Sequence, residues 1–126
     1  LTAGAGFVAQ GFSGKVDQLT NLIVEAMTYK GFSLIDIYQP CVSFNKINTH
    51  LWYKQRVFDL KDTDHDVTNF EKALQISHME KDKIPTGIIY KKDSVPFHYR
   101  LDVLKNKSLF EYSFAKSEMN DILGRV

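Results

Sequence analysis

Several things are scarce in this sequence, and each shortage excludes something. One cysteine among 126 residues cannot form an internal disulfide, so a reducing cytoplasm is the natural compartment. Excess charge is nearly absent: 16 basic residues against 15 acidic ones leave a formal net charge of +1. That balance gives no electrostatic case for nucleic acid or an anionic membrane. No apolar run approaches the ~20 residues that span a bilayer. The opening LTAGAGFVAQ lacks the basic flank and long apolar run of a signal peptide. Repeats, linkers and low-complexity stretches are missing. No G-x-S-x-G or P-loop lysine pattern occurs, and His50, His65, His78 and His98 are scattered without H-x-x-H or H-E-x-x-H spacing, so no zinc site can be argued. Asn106-Lys107-Ser108 matches a glycosylation triplet, which carries no meaning in a protein that is not secreted.

What is present is an ordinary globular composition. With 44% hydrophobic and 25% charged residues, the chain can bury a core and is not disordered. Its length fits one domain, residues 1–126. The apolar and glycine-rich opening reads as the middle of a fold, so that domain is expected to be partial.

Residues 5–12, AGFVAQGF, predict a strand. Ser13 is a candidate cap for the helix that follows. From Lys15 to Lys30, Val16, Leu19, Leu22, Ile23, Ala26 and Met27 recur at spacings of three and four, one helical stripe. Gly31 then supplies the usual left-handed stop. FSLIDIY, 32–38, is nearly all apolar, as buried parallel strands are, and Pro40 ends it. Strand, helix and strand make a βαβ unit. Cys41 therefore falls just past the carboxyl end of a parallel strand, the edge where open α/β sheets bind ligands. Beyond Asn45 the pattern weakens. A short helix is expected within 49–58, a polar loop over 59–66, and a second helix over 67–80 with Phe70, Ala73, Leu74 and Ile76 inward. A strand is expected over 86–92 behind Pro85, another near 109–114, and a last helix capped by Ser113 or Ser117 and ending near Leu123 and Gly124.

Three constellations invite chemistry. Gly4-Ala5-Gly6-Phe7-Val8-Ala9 spells a dinucleotide fingerprint, but no strand precedes it and Gly11, Ser13 and Gly14 would break its helix. Asp62, Asp64 and Asp66 alternate like the start of a calcium loop, yet Val67 and Ala73 stand where Gly and Glu are needed. Trp52 and Tyr53 beside Lys54 and Arg56 resemble a single-strand-binding patch, but a packed aromatic on a half-exposed helix suits the neutral charge better. Cys41 admits three readings. A buried small hydrophobe is the commonest. A catalytic thiolate needs a histidine or a helix N-terminus beside it, and nothing places His50 there. A cluster ligand needs three more cysteines, which would have to come from outside this chain.

The stretches GFVAQGFSG, LIVEAMTYKGFSLIDIYQPCVSFNK and WYKQRV resemble the β subunit of the two-component 2-oxoacid:ferredoxin oxidoreductases. The resemblance is dense over residues 4–60, returns at 84–90 and thins after Lys92. QPCVSFN is its specific element. It implies an α/β fold, the C-terminal part of a thiamine-diphosphate-binding fold with a mostly parallel sheet and helices. It implies oxidative decarboxylation of a 2-oxoacid, 2-oxoglutarate or pyruvate. Thiamine diphosphate with magnesium would activate the keto carbon, and coenzyme A would take the acyl group. A 4Fe-4S cluster would pass electrons to ferredoxin, in an assembly with an α subunit. Carried onto this chain, the Q-P-C motif makes Cys41 an iron ligand, with three other ligands in the N-terminal part of the same subunit. Ser43 and Asn45 could offer hydrogen bonds to sulfur.

The departures are as informative. The family's G-D-G diphosphate-and-magnesium motif and its other cluster cysteines are absent, and Gln10 stands where the family tends to place Arg. The chain alone is expected to bind neither thiamine diphosphate nor a complete cluster, to supply no catalytic side chain, to expose apolar surface and to self-associate. Two rivals remain: a different thiamine-diphosphate enzyme of the decarboxylase type with Cys41 as packing, and a non-enzymatic α/β interaction module.

Overall fold

The computed structural model describes residues 1–79, 82–111 and 113. The last helix expected after Ser113 lies outside them. The chain divides into two compact units, 1–94 and 95–126.

The first unit is a layered α/β structure. Strand β1 (Phe7–Phe12), helix α1 (Val16–Thr28) and strand β2 (Ser33–Tyr38) form the expected βαβ unit, with β1 and β2 parallel from Phe7 opposite Ser33 to Phe12 opposite Tyr38. Helix α2 (His50–Lys54), strand β3 (Val57–Asp59), helix α3 (Phe70–Ser77) and strand β4 (Ile84–Lys91) complete it, and the sheet order is β2-β1-β4-β3. The outer pairs are parallel, but β4 runs antiparallel to β1. The mostly parallel sheet is thus a mixed one, because β4 returns along the open flank of β1 in the opposite sense. A bulge between Val8 and Ala9 leaves Ile89 without a direct partner.

The core follows the two faces of β1. Phe7 and Ala9 meet Leu22 of α1, with Ala26, Tyr29, Ile35 and Ile88 around them. Val8 faces the other way, into a cluster with Leu60, Ala73 of α3, Ile89 and Tyr90. Alternation along a strand produces both faces at once. Lys91 of β4 reaches Glu25 of α1 at 2.6 Å, tying the helix to the central strands.

Several expectations change. Lys15, not Ser13, occupies the N-cap of α1, and no side chain caps that end. The stop after α1 is not a left-handed cap, since the helix already ends at Tyr29 in an extended conformation. Gly31 is needed two residues later, where φ is +154° and a Cβ would meet Tyr29 and Ser94 side-chain atoms at 2.7 and 2.9 Å. Strand β2 is not buried on both sides: it is the edge strand, and Leu34 and Ile37 are exposed. Half of the α1 stripe, including Val16 and Met27, is exposed as well. Phe70 is also exposed; Ala73 is the residue of α3 that is buried. Pro85 lies within β4, opposite Phe58, where the strand pairs with β3 and pairing with β1 has not begun. The polar loop includes a single 3₁₀ turn at Leu60–Asp62 that buries Leu60.

The described part of the second unit consists of 3₁₀ turns at Phe97–Arg100, Asp102–Leu104 and Leu109–Glu111. The last of these stands where a strand was expected.

Candidate functional site

Parallel strands β1 and β2 end together, and the segment after β2 builds the candidate site on that edge. Pro40 cannot continue the ladder, so the chain leaves the sheet after Tyr38 and turns through 41–49 into α2. The helix is fixed to the strand ends by aromatic rings. Tyr53 lies 5.7 Å from Phe12 and 5.2 Å from Tyr38, and the His50 ring lies 5.0 Å from Phe12. Thr49 caps α2 through its hydroxyl, which accepts from the Trp52 N–H at 3.4 Å. Such ring pairs add a modest amount beyond the area they bury. They position α2, and so fix where the intervening segment starts and finishes.

Cys41 is a free, exposed thiol, not a buried filler. Its pKa is lowered from the ordinary cysteine value, by the main chain of Phe44 first, then of Ser43 and, more weakly than the opposing desolvation, of Asn45. Amides aimed at a sulfur stabilise negative charge on it, the electronic requirement of a thiolate ligand. The His50 ring, the nearest histidine in sequence, packs against Phe12.

Beside this segment lies a cavity of about 230 Å³, walled in part by Gln10, Tyr38, Asn48, Trp52, Tyr53 and Pro85. Burial, then the Asp36 carboxylate and Tyr53, raise the Tyr38 phenol's pKa above its usual value, against the opposing effect of Gln10. Arg56 stacks over Trp52 at 4.3 Å and donates to its carbonyl at 3.1 Å. The aromatic-basic pair is therefore internal packing.

The remaining constellations stay apart. Gly4 and Gly6 lead directly into β1, with no strand before them. The Asp66 carboxylate accepts from the Thr68 N–H and hydroxyl at 2.9 and 2.7 Å, a local turn. A His65 ring nitrogen pairs with the Ile89 carbonyl at 2.8 Å. Among the described residues no group of three or more His, Cys, Asp or Glu side chains could hold a metal ion. No described helix is long and apolar enough to cross a membrane.

Comparison with known proteins finds relatives along most of the chain. The family described as the C-terminal part of the pyruvate ferredoxin oxidoreductase beta subunit matches residues 41–106. A 2-oxoacid:ferredoxin oxidoreductase subunit beta from Sulfolobus sp is 32% identical over 92% of this chain and 41% of its own length. Subunit beta of 2-oxoacid:ferredoxin oxidoreductase 2 from Aeropyrum pernix is 35% identical over 71% of this chain and 32% of its own. A solved chain of 2-oxoglutarate:ferredoxin oxidoreductase from Magnetococcus marinus, with 2-oxoglutarate, coenzyme A and succinyl-CoA bound, superposes with a TM-score of 0.76 at 31% identity. That superposition covers 98% of this chain and 41% of the solved one. The chain thus spans about two fifths or less of the relatives it matches.

Proposed function

This chain belongs to the 2-oxoacid:ferredoxin oxidoreductase β-subunit family, matching its C-terminal portion, and on that premise we propose that it forms part of an enzyme that oxidatively decarboxylates a 2-oxoacid. In the whole assembly, thiamine diphosphate with magnesium and coenzyme A take part. A 4Fe-4S cluster carries electrons to ferredoxin, and the protein is completed by an α subunit. The 2-oxoacid is 2-oxoglutarate or pyruvate; the 2-oxoglutarate and succinyl-CoA of the solved relative favour the former. A cytoplasmic setting suits the single free thiol.

The observation that carries this reading is Cys41. It opens the stretch matched by the family model, stands exposed past a parallel strand, and has its pKa lowered by the main chain around it. That donor set fits one ligand of a thiolate-held cluster; the other three ligands lie outside this sequence. When bound, the cluster supplies one-electron transfer. The contribution of this chain is to hold one thiolate at the sheet edge and to bias it toward the anion. The diphosphate-and-magnesium motif that the resemblance leads one to expect is not in this sequence, and no step on thiamine diphosphate is assigned to its residues.

The exposed surface supports coverage by further protein. Beside the edge strand, a groove of about 450 Å³ includes Leu34, Asp36, Leu74 and His78. Met27 and Phe32 add apolar area on the α1 side. A bare sheet edge flanked by apolar side chains marks a surface that takes up another polypeptide. The test is iron and acid-labile sulfide content of the assembled enzyme carrying this sequence. Cys41→Ala should lose both, and full retention of both would remove Cys41 as a ligand.

A further inference from the structure

We infer that the wedge where β1 and β4 part is a binding site for a small planar carboxylate, with Lys83 meeting the charge and the rings of Trp52 and Tyr53 taking the flat body. Neither Cys41 nor the family assignment enters into it.

A proline keeps the wedge open. Strands β1 and β4 pair antiparallel from Phe7 opposite Lys91 to Gln10 opposite Gly87, and no further. Pro85 has no N–H to give to β1. Before Gly87, whose φ of +119° suits glycine alone, Ile84, Pro85 and Thr86 pair with β3 instead. Meanwhile β1 continues beside β2 through Gly11 and Phe12. The two neighbours therefore separate at the carboxyl end of β1, the kind of opening in an α/β sheet where ligands settle. The cavity of about 230 Å³ lies in that opening: Gln10 lines it from β1, and Ile84 and Pro85 line it from β4.

The remaining walls select the ligand. Trp52 and Tyr53 of α2 contribute flat aromatic surface. Arg56 lies over the Trp52 ring at 4.3 Å and donates to the Trp52 carbonyl at 3.1 Å. Tyr53 packs against Phe12 and Tyr38. Both rings are thus held before a ligand arrives, which lowers the ordering cost of binding. Among the described residues that line the cavity, Lys83 alone carries a formal charge. No hydrogen bond or ion pair among the described residues engages its ammonium. Burial, with Asp36 and Tyr53, keeps the Tyr38 phenol protonated near neutral pH, so no anion forms on that wall. An aromatic pocket with one cation and a few amides suits a small anion with a flat body. The volume falls below the roughly 300 Å³ at which drug-sized pockets begin, which restricts the ligand to a single ring bearing its carboxylate.

The experiment uses the assembled enzyme carrying this sequence, with radiolabelled benzoate as the probe in equilibrium dialysis. A single saturable site per copy of this chain is expected, unaffected by saturating 2-oxoglutarate, pyruvate or coenzyme A. Benzamide, the uncharged counterpart, should bind more weakly. Lys83→Ala should weaken benzoate about tenfold or more, the loss of a hydrogen bond to a charged group, and Lys83→Arg should keep most of the affinity. Lys83 is exposed, so neither change threatens the fold. Absence of saturable binding would mean that the rest of the polypeptide fills the wedge, and it overturns the proposal. Displacement by a 2-oxoacid or by coenzyme A would put benzoate in the reaction site, which overturns it too. So does equal affinity for benzamide, or an unchanged affinity for benzoate in Lys83→Ala.

Discussion

Tyr38 shows how a single side chain at the strand end is tuned by its surroundings. Burial disfavours its phenolate first, and the Asp36 carboxylate and Tyr53 add to the effect, so the phenol titrates above its usual value of ~10. The folded protein thus holds this proton more tightly than the unfolded chain. The resulting stability is complete below the unfolded value and is lost as pH climbs from there toward the raised folded value. Tyr38→Phe has no proton to lose. Thermal midpoints compared at about pH 8 and about pH 11 should therefore drop further in the parent than in Tyr38→Phe; equal drops would contradict the assigned environment. Cys41 is the opposite case at the same edge, its pKa lowered because the main chain of Phe44 and Ser43 outweighs the opposing desolvation. Its position past a strand was legible from Pro40 and the apolar run before it. Its amide neighbours were not, since main-chain directions in a turn leave no pattern in residue type.

At the scale of elements, β1, α1 and β2 were legible because their signals are local. Spacings of three and four mark a helix, and Gly31 and Pro40 punctuate the two strands. The β3–β4 pair was not. Three residues, Val57–Asp59, are too few to show alternation, and Pro85 looks like a boundary until its one-sided pairing is known. The edge position of β2 was hidden for the same reason, because an apolar strand awaiting a neighbour reads like one that has it. What joins β3 to β4 beyond the ladder is Thr86, fully buried, whose hydroxyl donates to the Phe58 carbonyl at 2.8 Å. Thr86→Val keeps the shape and removes the donor. A loss of about 1–2 kcal/mol in urea unfolding is expected, and a change within error would show that the hydroxyl contributes nothing net.

On the scale of the whole molecule, the dominant fact is the uncovered side at β2. An edge strand with apolar neighbours is a template for association. Sedimentation velocity of the isolated chain should show oligomers, and Leu34→Lys with Met27→Lys should move the distribution toward monomer. A monodisperse parent would mean that this flank is not adhesive. The opposite flank of the β1–α1–β2 unit has a different history. Phe7 of β1 lies opposite Lys91, so β1 waits for the last residue of β4 before its pairing with that neighbour is complete. Until then the flank of β1 that β4 covers is bare, and a pause in translation before Tyr90 would hand it to chaperones in that state. The returning strand therefore acts as a clock on synthesis: it sets the earliest moment at which that flank of the unit is closed.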